Sequence, residues 1–338
     1  MKKKLLVVLF TLSFSLSLVA FGSQDGENLQ AKKASEYKII LILPGPINDQ
    51  SWNTTNYNGL TASNKSLGTN IEYIENVHLE NFESTIRNYA EKGYDLIMAA
   101  GTQFDEAANN VAVYYPDSTF CVVNGMLSKS KNVTPIFPKE YEASYLAAII
   151  ASNITESGKI ATVGGFPNRA MVDLLDVYEK TVTSFAKKNR DLVITAYREY
   201  SNSWDDVSLG KRMAEELIGK GADVLFFYAN QVGLGAIQAA REEGVKFIGF
   251  SSNQNSIAPE TVVASIGFDF ARFYIWAITL FLEGNLEGKV NLAGLKEGIF
   301  IPYYSDYISI DIQNEVEQAR LDVINGTVDF DFMLSRSF

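Results

Sequence analysis

The strongest constraint on the fold is an alternation of two patterns along the chain. Short apolar runs typical of strands alternate with stretches in which apolar residues recur at helical spacing. In the first half, strands are predicted at residues 38–43, 71–74, 95–100 and 118–123, with helices between them. Strands separated by helices of this length form βαβ units, whose strands lie parallel in one sheet.

The alternation restarts after residue 140. Strands are predicted at residues 159–164, 192–198, 223–228 and 246–250, again with helices between them. Gly93 and Gly221 occupy equivalent positions in the two halves, where a helix ends before a strand and a left-handed residue is favoured. We therefore predict an α/β fold of two Rossmann-like lobes, each a doubly wound parallel sheet, joined by a three-segment hinge.

The predicted lobes are discontinuous in sequence, because the chain is expected to cross between them near residues 140, 253 and 288. Residues 37–140 plus 254–288 are assigned to the N-terminal lobe. Residues 141–253 plus 289–338 are assigned to the C-terminal lobe.

The first 22 residues have the pattern of a secretory signal peptide. Lys2 to Lys4 are followed by an apolar run over residues 5–20 and by small residues at a possible cleavage point before Ser23. The alternative is an uncleaved membrane anchor, although the run falls short of the roughly 20 residues that span a bilayer. Residues 23–36 are polar and are predicted to be a flexible tether. The protein is therefore expected to be exported, to the periplasm or the outer face of the cytoplasmic membrane.

Charge and residue counts exclude several functions. The chain has 29 Lys and Arg against 40 Asp and Glu, and this net charge of −11 would repel nucleic acid. Cys121 is the single cysteine and His78 the single histidine. A disulfide within the chain needs two cysteines, and a zinc site needs several Cys or His ligands. We therefore expect no metal and no cofactor, and Cys121, in an apolar run, is interpreted as a buried hydrophobic residue.

Parallel sheets bind ligands outside the carboxyl ends of their strands. The loops at these ends follow Leu43, Ala100, Val123, Gly164, Tyr228 and Phe250. If the two lobes face each other, these loops line one cleft.

Several motifs, in order along the chain, resemble one family of proteins. Residues 47–53, followed by Tyr57 and Gly59, are similar to the D-K-S-F-N…Y-x-G-L opening of the basic membrane protein (BMP/Med, PnrA-like) family. Further similar motifs occur at residues 101–104, 144–147, 158–160, 203–206, 221–224 and 233–235. The resemblance covers roughly residues 38–335 and implies a type I periplasmic-binding fold that serves an ABC importer.

The resemblance also implies a ligand site, because the family includes purine-nucleoside receptors that hold the base between two aromatic rings. By position these rings are Trp52 and Phe226. Two alternatives remain open at this stage, namely that Phe226 is a buried strand residue and that Trp52 packs on its own sheet. The expected ligand-binding residues are Trp52, Asn48, Asp49, Phe104, Phe226, Asn230, Ser251 and Asn253. Asp49 can equally cap the helix that follows it.

At several positions this sequence differs from the nucleoside receptors, and these differences affect which ligand is expected. Their charged ribose contacts correspond here to Leu43, to the neutral residues 251–253 and to the neighbourhood of Phe268. A site that has lost such hydrogen bonds changes its preferred ligand. We therefore expect a small flat aromatic solute, which can be a nucleobase, a nucleoside or a flavin-like molecule such as riboflavin.

Three classes of function are compared. The first is a binding protein, expected to be a monomer, that delivers its solute to an ABC permease in the membrane. The second is a receptor that senses the same solute. The third is an exported enzyme, which needs a catalytic set. His78 has no partner motif, and neither a G-x-S-x-G elbow nor a phosphate-binding P-loop is present. We therefore expect a binding protein and not an enzyme.

Overall fold

The computed structural model describes residues 32–49 and 52–334. The predicted signal peptide and residues 23–31 of the predicted tether lie outside these ranges. The described end of the tether contains a single turn of 3-10 helix, Ala34–Glu36. Within the described ranges, no helix combines the length and the apolar character needed to cross a membrane.

Strands and helices alternate along the described residues. The strands are β1 (Ile39–Ile42), β2 (Ile71–Ile74), β3 (Leu96–Ala100), β4 (Thr119–Val123), β5 (Ile136–Pro138), β6 (Lys159–Gly164), β7 (Thr195–Tyr200), β8 (Val224–Tyr228), β9 (Lys246–Ser251), β10 (Val262–Phe268), β11 (Asn291–Ala293) and β12 (Phe300–Tyr304). The helices are α1 (Trp52–Leu67), α2 (Phe82–Glu91), α3 (Asp105–Ala112), α4 (Glu140–Ile154), α5 (Arg169–Arg190), α6 (Val207–Gly219), α7 (Asn230–Glu243), α8 (Phe270–Leu282) and α9 (Ile310–Ile324).

These strands form two six-stranded sheets, one in each lobe. The first has the order β11-β5-β4-β3-β1-β2 and the second β12-β10-β9-β8-β6-β7. All pairs are parallel except β10 with β12, which is antiparallel. Helices cover both faces, so central strands such as β1 and β3 are buried throughout and their sequences are continuously apolar. The predicted fold of two doubly wound α/β lobes is confirmed.

The chain crosses between the sheets three times. The first crossover joins β5 to α4 at residues 138–140. The second joins β10 of the second sheet to α8, which packs on α1 of the first lobe, where Tyr274 Oη donates to Asn56 Oδ1 at 2.6 Å. The third joins β11 of the first sheet to β12 of the second.

Two crossovers therefore lie later in the chain than the sequence suggested. Residues 254–268 were assigned to the N-terminal lobe, but β10 pairs in parallel with β9 in the second sheet. Residues 289–338 were assigned to the C-terminal lobe, but β11 pairs with β5 in the first. Strand pairing decides lobe membership, and no local pattern encodes which neighbour a strand will meet.

The single cysteine and the single histidine occupy ordinary positions. Cys121 lies in β4 with 1% of its surface exposed. Burial raises the pKa of its thiol to about 12, so it behaves as a small hydrophobic residue. His78 is exposed at the start of a short 3-10 helix, Leu79–Asn81.

Candidate functional site

A cleft opens between the carboxyl ends of the two sheets. Two cavities, of about 420 and 380 Å³, share the lining residues Trp52, Asn124, Glu140 and Tyr228 and therefore adjoin one another in this cleft. The cleft is lined from the first lobe by residues that follow β1, β3 and β4, and from the second by residues at the ends of β6 to β10. This is the position at which parallel sheets bind ligands.

Trp52 is the first residue of α1 and borders both cavities. Its indole Nε1 donates a hydrogen bond of 3.1 Å to the carbonyl of Ala100 at the end of β3. The ring of Phe270 meets it edge-on at 5.7 Å. These contacts hold the indole in place at the cleft, where it can stack on a flat ligand.

Asp49 stabilises the start of the same helix. Its Oδ2 accepts from the backbone N–H of Asn53 at 2.9 Å, and its Oδ1 accepts from the backbone N–H of Thr54 at 2.9 Å. Asp49 borders neither cavity, so the capping alternative describes its position. Asn48 is exposed and also lies outside both cavities.

Phe226 is placed in the core rather than in the cleft. Its side chain is fully buried, stacked on Tyr178 at 4.9 Å and edge-on to Phe250 at 6.0 Å. The expectation that its ring faces the ligand is corrected, because neither cavity is bordered by it. Tyr228, two residues further along β8, points to the same side of the strand and borders both cavities.

Phe104 is also a core residue. Its ring is fully buried and stacked on Phe82 at 3.7 Å, between α2 and α3. The three residues before it, Gly101, Thr102 and Gln103, border the first cavity instead. The aromatic residue of this motif turns inward because the chain enters a helix there.

The remaining predicted polar residues divide into two groups. Asn230 and Ser251 border the second cavity, and both adopt positive φ, 43° and 73°. Asn253 borders neither cavity, and its Oδ1 accepts from the backbone N–H of Asn255 at 3.1 Å. Left-handed backbone at residues other than glycine is sparsely populated and is concentrated at functional sites. Asn124, at φ 59°, is a third such residue in the cleft.

Asn124 follows β4 and was not singled out in the sequence. It borders both cavities, and its Oδ1 is buried without a hydrogen-bond partner among the described residues. A buried acceptor left unpaired costs about 1–3 kcal/mol, which a donor on a ligand can offset.

Glu140 is a second residue that the sequence did not reveal. It starts α4, borders both cavities and is 8% exposed, and its Oε1 accepts a short hydrogen bond from the hydroxyl of Tyr228. Burial raises the pKa of its carboxyl to about 7, against the opposing effect of the Tyr228 hydroxyl. An acid at a helix start is ordinarily a surface residue favoured by the helix dipole, so the sequence carried no distinctive signal.

Trp204, in the family-like motif at residues 203–206, also borders the first cavity. It lies 5.7 Å from the ring of Phe166, and it packs so closely on Gly165 that a side chain there would clash. Asp206 caps helix α6, since its Oδ1 accepts from the backbone N–H of Leu209 at 2.8 Å. Among residues 32–49 and 52–334, no cluster of three or more His, Cys, Asp or Glu residues is arranged to hold a metal ion.

Comparison with known proteins identifies the family. A family model described as "Bmp: ABC transporter substrate-binding protein PnrA-like" matches residues 36–330. The chain belongs to this family. The resemblance found in the sequence motifs is thereby confirmed, and the chain is a Bmp-family substrate-binding protein rather than an enzyme. Substrate-binding proteins of ABC systems bind small ligands and interact with permeases.

One relative is similar over nearly the whole chain, and two solved structures share its fold. Basic membrane protein A1 of Borrelia garinii subsp. bavariensis is 26% identical over 339 residues, which is 97% of this chain and 96% of the relative. A transcriptional activator of the comK gene from Bacillus halodurans superposes with a TM-score of 0.74 at 20% identity, covering 86% of this chain and 99% of its own. An ABC transporter solute-binding protein from Aeropyrum pernix superposes with a TM-score of 0.69 at 21% identity, covering 87% and 92%.

Proposed function

We propose that this Bmp-family protein captures a small flat aromatic solute, a nucleobase, nucleoside or flavin-like molecule, for an ABC importer. One observation carries the proposal: aromatic rings from both lobes border a single cleft. Trp52 and Phe270 come from the first lobe, and Trp204, Tyr228 and Phe250 come from the second. Stacking on such rings contributes about 1–3 kcal/mol per base, whatever the base.

The size and polar groups of the cleft support the same ligand class. Cavities of about 420 and 380 Å³ are within the roughly 300–1,000 Å³ that small-molecule sites occupy. Polar residues line the cleft around the rings. They include Asn124, Glu140, Asn230 and Ser251. Hydrogen bonds to such groups can fix the orientation of a ring that stacks between aromatic side chains.

We infer that capture proceeds by closure of the two lobes about the three crossovers. A ligand that contacts both lobes binds the closed form better than the open one and shifts the population toward it. The closed form is then the one that an ABC permease recognises. We propose that the protein acts as a monomer. We also propose that it lies outside the cytoplasm, on the basis of its basic start, its apolar run at residues 5–20 and the family to which it belongs.

The proposal is tested by native mass spectrometry of freshly purified protein and by a thermal-shift screen. The screen contains nucleobases, nucleosides, riboflavin and simple sugars. We expect one or more of the aromatic compounds to raise the Tm and the sugars to leave it unchanged. Stabilisation by sugars alone, or a non-aromatic molecule retained in the mass spectrum, overturns the proposal.

A sensing role is the second candidate, favoured by the similarity to the transcriptional activator from Bacillus halodurans. A sensor would bind the same class of ligand but would present its closed form to a membrane receptor instead of a permease. Cross-linking of the ligand-bound protein to its membrane partner, followed by identification of that partner, separates the two roles.

A further inference from the structure

Glu140 occupies an unusual place for a carboxyl group. It follows directly on the first crossover, and its side chain borders both cavities although only 8% of the residue is exposed. Its Oε1 accepts from the Tyr228 hydroxyl, and within the described part of the chain no residue donates a hydrogen bond to its Oε2. One carboxylate oxygen is therefore hydrogen-bonded within the protein, and the other is available to a donor on a ligand in the cleft.

The charges around Glu140 do not neutralise it. In the first cavity, the exposed side chain of Arg169 is turned to Asp173, with Nε and Oδ2 3.6 Å apart. In the second cavity the charged residue is Asp205, which is exposed and carries the same sign as Glu140.

The charged neighbours on its own segment are also paired elsewhere. Lys139, the residue before it, forms an ion pair with Glu142, one turn into the helix. Glu142 in turn accepts from the backbone of Leu295. Within residues 32–49 and 52–334, no lysine or arginine lies within ion-pair distance of Glu140, so its charge has only the Tyr228 hydroxyl as a partner.

We propose that Glu140 is a specificity-determining residue whose carboxylate accepts hydrogen bonds from an N–H donor edge of the bound aromatic solute. This inference rests on the function proposed above and narrows its ligand class. The preferred solutes are heteroaromatic rings with an N–H in the ring plane, of the lactam or imide type. Rings whose N–H is alkylated leave a buried carboxylate unpaired, and aromatic carboxylates add like charge; both are disfavoured.

The same geometry makes binding depend on pH. Burial raises the pKa of the free Glu140 carboxyl to about 7. Donors on the ligand stabilise the ionised form, so the pKa of Glu140 is lower in the complex than in the free protein. Above the pKa of Glu140 in the free protein, the carboxylate is ionised and can accept the hydrogen bonds from the ligand. As the pH falls from this pKa toward the lower pKa of the complex, the carboxylate becomes protonated and the contribution of these hydrogen bonds to affinity is lost. Binding near pH 7 therefore releases a fraction of a proton.

The test uses two matched pairs of compounds, riboflavin with 3-methylriboflavin and hypoxanthine with 1-methylhypoxanthine. Each pair differs in one ring N–H. Affinities are measured by calorimetric titration between pH 5.5 and 8.5 for the wild type and for Glu140→Gln, whose fold is checked by circular dichroism and Tm. Buffers of different ionisation enthalpy report the number of protons released.

For the wild type we expect at least one parent compound to bind about tenfold or more tightly than its methylated partner at pH 8. Its affinity should weaken by up to about tenfold per pH unit below 7, the limit for one linked proton. Glu140→Gln should bind the parent more weakly at pH 8, with no pH dependence and no proton release.

The outcomes separate this inference from the proposed function. If parent and methylated compounds bind the wild type equally, or if the pH dependence persists in Glu140→Gln, Glu140 does not determine ligand specificity. The proposal that the ligand is a flat aromatic solute still stands in that case. If neither pair binds and the wider screen yields only non-aromatic ligands, the proposed function is overturned, and the role of Glu140 with it.

Discussion

The Oε2 atom of Glu142 accepts a hydrogen bond of 2.7 Å from the backbone N–H of Leu295, and this bond joins two of the three crossovers. Glu142 follows the first crossover, and Leu295 lies within the third. The backbone N–H of Lys139 donates to the carbonyl of Ala293 at 2.7 Å across the same pair of segments. These hydrogen bonds tie the first and third crossovers to each other. We therefore expect the hinge to act as one unit when the two lobes move toward each other.

Loss of this carboxylate should weaken the hinge. Glu142 is 3% exposed and pairs with Lys139, so Glu142→Ala leaves an ammonium and a backbone N–H without their partner. We expect a loss of about 3–5 kcal/mol in the free energy of unfolding, measured by urea denaturation. Hydrogen exchange should accelerate at residues 139–142 and 293–299. Glu142→Gln, which keeps an acceptor for Leu295, should lose less, and equal losses in the two variants would contradict this account.

Removal of the Trp52 indole should affect binding more than stability. The ring is half-buried at the cleft, and its loss removes a stacking surface of about 1–3 kcal/mol per base, so Trp52→Ala should weaken binding more than tenfold. Calorimetric titration with the ligand found by the screen measures this. The matched control is Trp276→Ala, whose ring stacks on Phe273 and borders neither cavity. An equal loss of affinity in the control would remove Trp52 from the site.

Phe226 should behave in the opposite way to Trp52. Its ring is fully buried between Tyr178 and Phe250, so Phe226→Ala creates a cavity and should lower the free energy of unfolding by about 3–5 kcal/mol. Phe226→Leu should cost less because more volume is retained. At a temperature where both variants are folded, Phe226→Leu should keep near wild-type affinity. A selective loss of affinity without loss of stability would return Phe226 to the ligand site.

Tyr228→Phe should shift the pH dependence of binding without abolishing it. The Tyr228 hydroxyl donates to Glu140 and stabilises the ionised carboxylate. Without this donor the pKa of Glu140 should rise further above its ordinary range, so binding should begin to weaken at a higher pH than in the wild type. Affinity measured against pH checks the direction of the shift. A profile that moves to lower pH, or does not move, would be inconsistent with this contact.

Helices α6 and α7 pack closely enough to require glycine. A Cβ on Gly235 would clash with the carbonyl of Val207 at the start of α6. Gly235→Ala should therefore cost about 1–3 kcal/mol of stability. Gly219, at the end of α6, has open space around it, and Gly219→Ala should be neutral or stabilising by up to about 1 kcal/mol. Thermal unfolding of both variants compares a site of close approach with an open one.

The sequence alone was sufficient for the two-lobed α/β architecture and for the family. Element type follows from local periodicity, and periodicity is set by residues within a few positions of one another. The predicted strands at residues 71–74 and 118–123 accordingly match β2 and β4 within a residue. The position of the cleft also followed, since parallel strands present their carboxyl ends on one side.

The tertiary structure decided which side chains face that cleft and which segment joins which sheet. Phe226 and Tyr228 lie on the same side of β8, and only the one nearer the strand end emerges from the core. Glu140 resembles any acid at a helix start until β8 is brought against it. Burial and pairing of this kind depend on contacts between residues that are remote in the chain, and no local sequence pattern specifies those contacts. The alternation of strands and helices, in contrast, is determined by residues that are close to one another in the sequence.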